Sequence, residues 1–196
     1  NGNYIRQLSA EELYKWTLPF ITGTGDATLE INPENPQPKP NVGPEFSGVA
    51  LGEDGRPYCV DKSMNMSTED VERTLLGLMP LIQERLKFLT EAAEMVHFMF
   101  TEPAVLPVEQ IVPKKLDVAK TIEVLEEAKD FVSQVFSLDH DGAENLAKAK
   151  AEKLGIKLGD FMMPIRMAVT GSRVSPPLIG SILVLRKEKS LSRIEK

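Results

Sequence analysis

The stretch LIQERLKFLTEAAEMVHFMF, residues 81–100, carries the apolar pattern that decides the fold class. Its apolar side chains recur at steps of three and four, which is the spacing of one face of an α-helix. The residues of this stripe are Ile82, Leu86, Leu89, Ala93, Val96 and Phe100. Pro80 precedes the stretch and is expected to kink the helix or to begin a new one. Residues 81–100 therefore predict a long amphipathic helix.

Helix signals on both sides of this stretch extend the prediction to most of the chain. Ser9 with Glu12, and Ser67 with Asp70, have the spacing of an N-terminal capping box. Further helices are predicted over residues 114–136, 141–154 and 160–170, with a last pair after Pro177. Strand signals are sparse, so the predicted fold class is all-α.

Residues 23–66 differ in composition from the helical segments. Prolines at 33, 36, 38, 40 and 44 predict an extended loop, because each fixes φ and removes a hydrogen-bond donor. The segment GVALGEDGRPYCV, residues 48–60, indicates a small hairpin. A second proline-containing stretch, TEPAVLP at 101–107, indicates a boundary between two helical parts, residues 1–108 and 109–196.

Composition and charge limit the classes of function. The chain of 196 residues is 42% hydrophobic and 27% charged, with a net charge of −6. That charge is uneven: nine acidic and three basic residues lie between Asp26 and Asp70, whereas eleven basic and four acidic residues lie between Leu146 and Lys196. The basic end suits a phosphate-bearing partner, although a solvated helix face is the simpler explanation of charge alone.

The compartment and the completeness of the chain are also expectations from sequence. The sequence has no run of eighteen apolar residues, so it predicts no membrane span. Its N-terminus lacks the apolar core of a signal peptide. Cys59 is the single cysteine, which fits a reducing, cytoplasmic setting. The chain does not begin with Met, so we expect it to be a piece of a longer protein.

The sequence offers no set of catalytic residues. His97, His140 and Cys59 do not have the spacing of metal ligands, and no glycine-rich phosphate-binding loop is present. Acidic pairs such as Glu126-Glu127 lie on predicted helix faces, where solvation is the usual explanation. We therefore expect this chain by itself to have no catalytic residues, no metal site and no cofactor.

The stretch MPIRMAVTGSRVSPPL, residues 163–178, suits recognition of unpaired bases. An Arg side chain hydrogen-bonds base edges with two donors and stacks on their faces. Arg166 and Arg173 flank Gly171, and the turn at Ser175-Pro176 is stiffened by proline, which lowers the entropy lost on binding. The alternative is that both arginines are surface charges and the prolines only begin a helix. The residues alone favour that alternative.

A family resemblance favours base recognition. GDFMMPIRMAVTGSRVSPPL, residues 159–178, followed by KEKSLSRI, resembles the C-terminal anticodon-binding region of bacterial glutamyl-tRNA synthetases. NGNYIRQLSAEEL at the N-terminus and QERLKFLTEAAEMVHFMFTEP, residues 83–103, are similar to earlier parts of the same region. The resemblance implies an α-helical cage in two subdomains: a stem-contacting connector with a first anticodon-binding subdomain over 1–108, and a second over 109–196.

The resemblance also implies roles for individual residues. Arg166 matches the arginine that contacts the middle anticodon base, and Arg173 belongs to the same base-binding segment. Ser175, Pro176 and Leu178 match the turn that packs against the first base. Arg85 matches the position that reads the third base, where arginine accompanies acceptance of glutamate tRNA and rejection of glutamine tRNA. A slip of one residue in the alignment would place Glu84 there instead.

The resemblance implies partners and cofactors for the full-length enzyme. That enzyme attaches glutamate to tRNA(Glu) with ATP and Mg²⁺, whereas this piece would bind tRNA without aminoacylating it. A monomer without affinity for DNA is expected. The alternative hypothesis is a helical adaptor for another protein, in which the acidic loop is the partner site and RNA is not bound.

Two departures from the family pattern lead to further expectations. Residues 23–66 are longer and richer in proline than the family pattern, so a lineage-specific loop without tRNA contact is the default. Arg186 stands where the family usually carries glycine, the residue that ends helices most easily in a left-handed conformation. Arg186 therefore predicts either a different helix end or an added contact with phosphate.

Overall fold

Helices dominate the computed structural model, which describes residues 2–25 and 42–196. The all-α prediction is confirmed, with a single two-stranded antiparallel hairpin in the described part of the chain. The chain divides into two compact units, Asn1–Glu102 and Pro103–Lys196. The functional division drawn from sequence, residues 1–108 and 109–196, remains a prediction.

The first unit packs its helices and the hairpin around one apolar core. Its helices are α1 (Gly2–Ile5), α2 (Ala10–Thr22), α3 (Pro44–Ser47), α4 (Thr68–Gln83) and α5 (Ala92–Phe100), and its strands are β1 (Val49–Leu51) and β2 (Pro57–Cys59). Helix α2 packs against α4 and α5, and α3 packs against α5. The fully buried side chains include Leu13, Ile21, Val71, Leu75, Leu78, Met79, Ile82, Val96 and Phe100.

The second unit has its own core, built on α7. Its helices are α6 (Val108–Ile111), α7 (Val118–Val135), α8 (His140–Lys153), α9 (Leu158–Thr170), α10 (Leu178–Leu185) and α11 (Lys187–Ile194). Helices α8, α9 and α11 each pack on α7. Phe131 of α7 and Phe161 of α9 meet edge to face with ring centroids 5.9 Å apart. Because aromatic pairs prefer this arrangement, the contact fixes where α9 crosses α7.

The predicted helix starts are confirmed by their caps. The hydroxyl of Ser9 accepts the N–H of Glu12, and the carboxylate of Glu12 accepts the N–H of Ser9 at 2.8 Å. Ser67 and Asp70 form the same reciprocal pair at the start of α4. Each cap satisfies backbone donors that have no partner inside the helix, which is why these helices begin where the sequence predicts.

The single helix predicted over residues 81–100 is wrong, although its apolar stripe is largely buried. Helix α4 continues through Pro80 and ends at Gln83, and a short 3₁₀ turn at Leu89–Glu91 leads into α5. The carboxylate of Glu91 accepts the N–H groups of Lys87 and Phe88 at 2.7 and 3.2 Å. A side chain that captures these donors starts a new helical segment and ends the continuity of the old one.

The hairpin predicted at 48–60 is confirmed, with Val49 opposite Cys59 and Leu51 opposite Pro57. Arg56 in the hairpin forms ion pairs with Glu69 and Glu72 of α4, each at 3.0 Å. These contacts attach the hairpin to the helical core of its own unit. The proline-rich segment 33–44 lies mostly outside the described residues, and its prediction as an extended loop is untested there.

Arg186 separates α10 from α11 and has a positive φ of 72° with ψ of 161°. Its N–H donates to the carbonyl of Ile182 at 3.0 Å. The predicted different helix end is therefore confirmed, because a left-handed glycine would have ψ of about 47° rather than 161°; the added contact with phosphate remains a prediction. This φ, ψ combination is populated almost only by glycine, so the position is strained.

Candidate nucleic-acid interface

The turn between α9 and α10 presents the segment that the sequence analysis singled out. Gly171 ends α9 with φ of 69°, and its N–H donates to the carbonyl of Met167 at 2.9 Å. The hydroxyl of Ser172 accepts the N–H of Val174 at 3.1 Å and donates to its carbonyl at 2.8 Å. Local hydrogen bonds of this kind order a turn before any ligand arrives.

Arg166 holds this turn from the side of α9. Its guanidinium donates to the hydroxyl of Ser175 and to the carbonyl of Pro176, the second at 2.9 Å. The carbonyl of Ser175 lies 3.4 Å away on the same guanidinium nitrogen. The structure thus brings three of the predicted site residues together, and it engages Arg166 with the turn itself.

Burial separates the remaining residues of the turn into anchors and exposed groups. Ser175, Pro176 and Leu178 are buried. Arg173 is exposed, and its guanidinium lies 3.4 Å from the carbonyl of Gln110 in α6. The side chains that extend outward are therefore those before Ser175, whereas the predicted serine and proline contribute mainly to the shape of the turn.

Val174, which the sequence analysis did not single out, is 68% exposed between Arg173 and Ser175. Its methyl groups are available for van der Waals contact with a base or a sugar. Its exposure could be predicted from the sequence, because Val174 lies in a short turn and does not continue the apolar face of either neighbouring helix.

Arg85 belongs to the other compact unit and lies in the turn directly after α4. Its side chain is exposed, and so is that of Glu84, which pairs with Arg6 at 3.3 Å. Glu84 thus has a cationic partner, and the assignment of Arg85 to the position that reads the third base remains a prediction.

The formal charges of the two units have opposite sign. Residues 103–196 contain 15 Lys and Arg against 13 Asp and Glu, a net of +2, and residues 1–102 contain 8 against 16, a net of −8. An excess of positive charge raises the local concentration of an anionic partner. The surface of the second unit is therefore the more favourable side for a phosphate backbone.

A metal-binding cluster and a membrane-spanning helix are both absent from the described residues. No group of three or more His, Cys, Asp or Glu side chains within 2–25 and 42–196 could hold a metal ion. The thiol of Cys59 is buried, and its Sγ lies 3.4 Å from the carbonyl of Phe100. Among the helices described, none has the length and apolar character needed to cross a membrane.

Curated relatives of this chain share a name. The chain is 41% identical over 196 residues to a glutamate–tRNA ligase of Treponema denticola, a match that covers 100% of this chain and 35% of the relative. Glutamate–tRNA ligases of Treponema pallidum and Roseiflexus castenholzii are 40% and 33% identical over 195 residues, covering 34% and 31% of those proteins. The chain spans about a third of the length of the curated relatives it matches.

A solved structure supports the same fold. A glutamate tRNA ligase from Elizabethkingia meningosepticum, in complex with its amino acid, aligns with a TM-score of 0.56 and 18% identity over 100% of this chain and 30% of that one. At this identity the likeness concerns the fold alone. The family model for the anticodon binding domain matches residues 51–196. Since that match includes α4 to α11 and thus most of both helical units, the chain belongs to the anticodon-binding domain family.

Proposed function

We propose that this chain is the C-terminal anticodon-binding part of a glutamate–tRNA ligase and recognises the anticodon of glutamate tRNA. The observation that carries the proposal is the ordered turn 171–177, which Arg166 holds and which contains the exposed Arg173. Recognition of RNA sequence usually targets unpaired bases, which stack on and hydrogen-bond to such side chains. The names of three curated relatives, each a glutamate–tRNA ligase, support glutamate tRNA as the proposed RNA.

The proposed roles follow the two parts of the chain. Residues 1–108 connect to the tRNA stem and read the third anticodon base through Arg85. Residues 109–196 receive the middle and first bases, with Arg166 and Arg173 as hydrogen-bond donors. The turn residues Ser175, Pro176 and Leu178 pack against the first base or shape the turn that does so.

In this proposal the whole protein attaches glutamate to tRNA with ATP and Mg²⁺, acts in the cytoplasm and is a monomer without affinity for DNA. The chain described here contributes binding energy and discrimination to that reaction. A base contact through an Arg side chain with two donors contributes roughly 1–3 kcal/mol of discrimination. Arg85 is proposed to favour the glutamate anticodon over the glutamine anticodon, which differ at the third base.

Arg166 requires a more specific role than its sequence position suggests. Its guanidinium already donates to Ser175 and Pro176 in the absence of RNA. A bound base would therefore have to share or replace these acceptors. We propose that Arg166 keeps the turn in its binding shape, because one guanidinium nitrogen reaches both acceptors and the planar group holds that nitrogen in a fixed direction, whereas a Lys ammonium ends a flexible stem.

The test is fluorescence-anisotropy titration of this chain with short anticodon stem-loops of glutamate and glutamine tRNA. We expect tighter binding to the glutamate loop, weakening as salt rises because phosphate contacts release counterions. Arg85→Gln should relax the preference between the loops. Arg166→Ala should weaken binding to both, and Arg166→Lys, which keeps the charge, should not restore it fully.

The outcomes separate the parts of the proposal. Salt-sensitive binding without preference would keep tRNA recognition and remove the discriminating role of Arg85. Binding that Arg166→Ala leaves unchanged would remove the role of the turn. Absence of binding to either loop would overturn the proposed function and would favour the alternative hypothesis, a helical adaptor for another protein.

A further inference from the structure

The turn between α4 and α5, residues 84–91, is more firmly held than an ordinary connection. The side-chain amide of Gln83 donates to the carbonyls of Ile5 and Leu8 at 2.9 and 2.7 Å, which ties the end of α4 to the segment between α1 and α2. Leu86 is fully buried and anchors the middle of the turn. A connection with a buried anchor and paired backbone loses little entropy when a ligand binds to it.

Glu91 fixes the exposed half of the turn. Its carboxylate accepts the N–H groups of both Lys87 and Phe88, so one side chain sets the backbone direction at two successive residues. Phe88 has φ of −129° and ψ of 148°, an extended conformation in which its backbone leads directly into the 3₁₀ turn. The position of Phe88 is therefore defined by Glu91, three residues further along the chain.

Four side chains of this turn are exposed; Glu84 pairs with Arg6, and the chemistry of the other three is complementary to RNA. Arg85 and Lys87 are exposed cations, and Phe88 is 43% exposed. Phe88 thus keeps much of its ring in contact with solvent on a backbone that Glu91 fixes. An aromatic face beside cations suits unpaired bases, because stacking and phosphate attraction act together.

We infer that Phe88 stacks on the third anticodon base and that Glu91 is the positioning residue that aims it. The inference rests on the proposed function and adds a contact to it, since hydrogen bonding by Arg85 alone would leave the faces of the base in water. Stacking supplies affinity that tolerates any base, whereas Arg85 supplies the discrimination. The two residues thus divide affinity and specificity at one position of the RNA.

The first test compares binding of the glutamate stem-loop by the native chain and by Phe88 variants. Phe88→Ala should weaken binding on the order of tenfold, as expected for one lost base stack. Phe88→Trp should retain it, because indole also offers a flat face. Phe46→Ala is the matched control: Phe46 is 39% exposed in the same unit but lies in α3, so its loss should leave binding unchanged.

A second measurement locates the contact directly. A stem-loop with 5-iodocytidine at the third anticodon position is irradiated in complex with the native chain, and the crosslinked peptide is identified by mass spectrometry. We expect the crosslink at Phe88. Glu91→Ala should reduce crosslinking and affinity, and its effect on affinity should become smaller in the Phe88→Ala background if Glu91 acts through Phe88.

Each outcome bears on the inference. Native binding that Phe88→Ala leaves unchanged, or a crosslink confined to another residue, overturns the role of Phe88 and keeps the proposed function. Losses from Glu91→Ala and Phe88→Ala that simply add overturn the positioning role. Absence of salt-sensitive binding by the native chain overturns both the inference and the proposed function. A thermal unfolding midpoint of Phe88→Ala close to the native value supports loss of the base contact, rather than loss of folding, as the cause of weaker binding.

Discussion

Of the two described non-glycine residues with positive φ, Asn65 and Arg186, only Arg186 lies outside the left-handed helical region. Its φ of 72° and ψ of 161° belong to a region that glycine alone occupies readily. Such strain costs residues other than glycine on the order of 1–3 kcal/mol, which Arg186→Gly would relieve. Part of the relieved energy is offset, because glycine has greater freedom in the unfolded chain. We expect Arg186→Gly to raise the free energy of unfolding by about 1 kcal/mol, measured by urea denaturation.

Asn65 provides the control for this residue. Its φ of 48° and ψ of 45° lie in the left-handed helical region, which asparagine tolerates well. Asn65→Gly should therefore leave the free energy of unfolding nearly unchanged or slightly lower. An equal gain at both positions would show that glycine helps for a reason other than the strain at Arg186.

At the scale of elements, Gly48 joins α3 to β1 in contact with the end of α5. Its φ is 76°, and a Cβ placed on it would lie 2.9 Å from both the carbonyl oxygen of Phe100 and the Cγ2 of Thr101. Backbone strain and a clash with the Phe100 carbonyl and the Thr101 methyl group would act together in Gly48→Ala. We expect the free energy of unfolding to fall by about 3 kcal/mol, measured by urea denaturation.

Gly55 in the hairpin turn separates these two causes. Its φ of 77° matches that of Gly48, yet a Cβ there would meet nothing within 4 Å. Gly55→Ala should therefore cost about 1 kcal/mol, the strain alone. Equal losses in the two variants would contradict the close approach of Gly48 to α5.

Helices α7 and α8 are connected by a cluster of ion pairs. Lys150 donates to Glu127 at 2.8 Å and to Asp130, and Lys153 donates to Glu127. The hydrogen bonds from Lys150 hold the pKa values of Glu127 and Asp130 below their ordinary range. Because folding lowers these pKa values, the cluster stabilises the protein above the unfolded-state pKa of a carboxyl group and loses that effect as pH falls through the folded-state pKa.

Lys150→Met tests this pH dependence. We expect it to lower the free energy of unfolding at neutral pH, and we expect the difference from the native chain to shrink as pH falls below about 4. Urea denaturation across this range measures both. Lys148→Met removes an exposed pair with Glu144 at 3.7 Å and should change little at any pH. A pH-independent loss in Lys150→Met would contradict the electrostatic explanation.

Local signals explain which elements the sequence could predict. Ser9 and Ser67 lie within three residues of their capping partners, and the helix starts predicted from them are confirmed. The break after Gln83 was missed because the Gln83 amide binds carbonyls 75 and 78 residues away in the chain. The break also has a local cause, since the Glu91 carboxylate accepts the N–H of Phe88 three residues earlier. That spacing is visible in the sequence, but the continuous apolar stripe favoured a single helix.

The candidate site shows the same limit. Sequence resemblance identified Arg166, Ser175 and Pro176 as members of one segment, but it treated the arginine as available to RNA. Whether a guanidinium points outward or back onto its own turn depends on the direction in which α9 ends, which is set by Gly171 and by packing on α7. The hydrogen bonds from Arg166 to the turn therefore required the structure.

At the scale of the whole molecule, the second unit has the features of an independent folding domain. Residues 103–196 bury an apolar core of their own, including Val124, Ala128, Phe131, Phe161 and Ile165. A domain of this size buries enough surface to be stable alone. We expect the segment 103–196, produced by itself, to unfold cooperatively with urea and to retain a helical circular-dichroism spectrum. A non-cooperative transition would contradict the division into two units.

The separated second unit also distinguishes the proposed roles of the two halves of the chain. It contains Arg166 and Arg173 but not Arg85, and its net formal charge is positive. We expect it to bind anticodon stem-loops more weakly than the whole chain, with affinity that still falls as salt rises.

Its preference between the glutamate and glutamine loops should disappear, because those anticodons differ at the third base, which Arg85 is proposed to read. Anisotropy titrations of both proteins with both loops measure this. A preference that persists in the segment 103–196 would move the discrimination out of the first unit and into the turn that Arg166 holds.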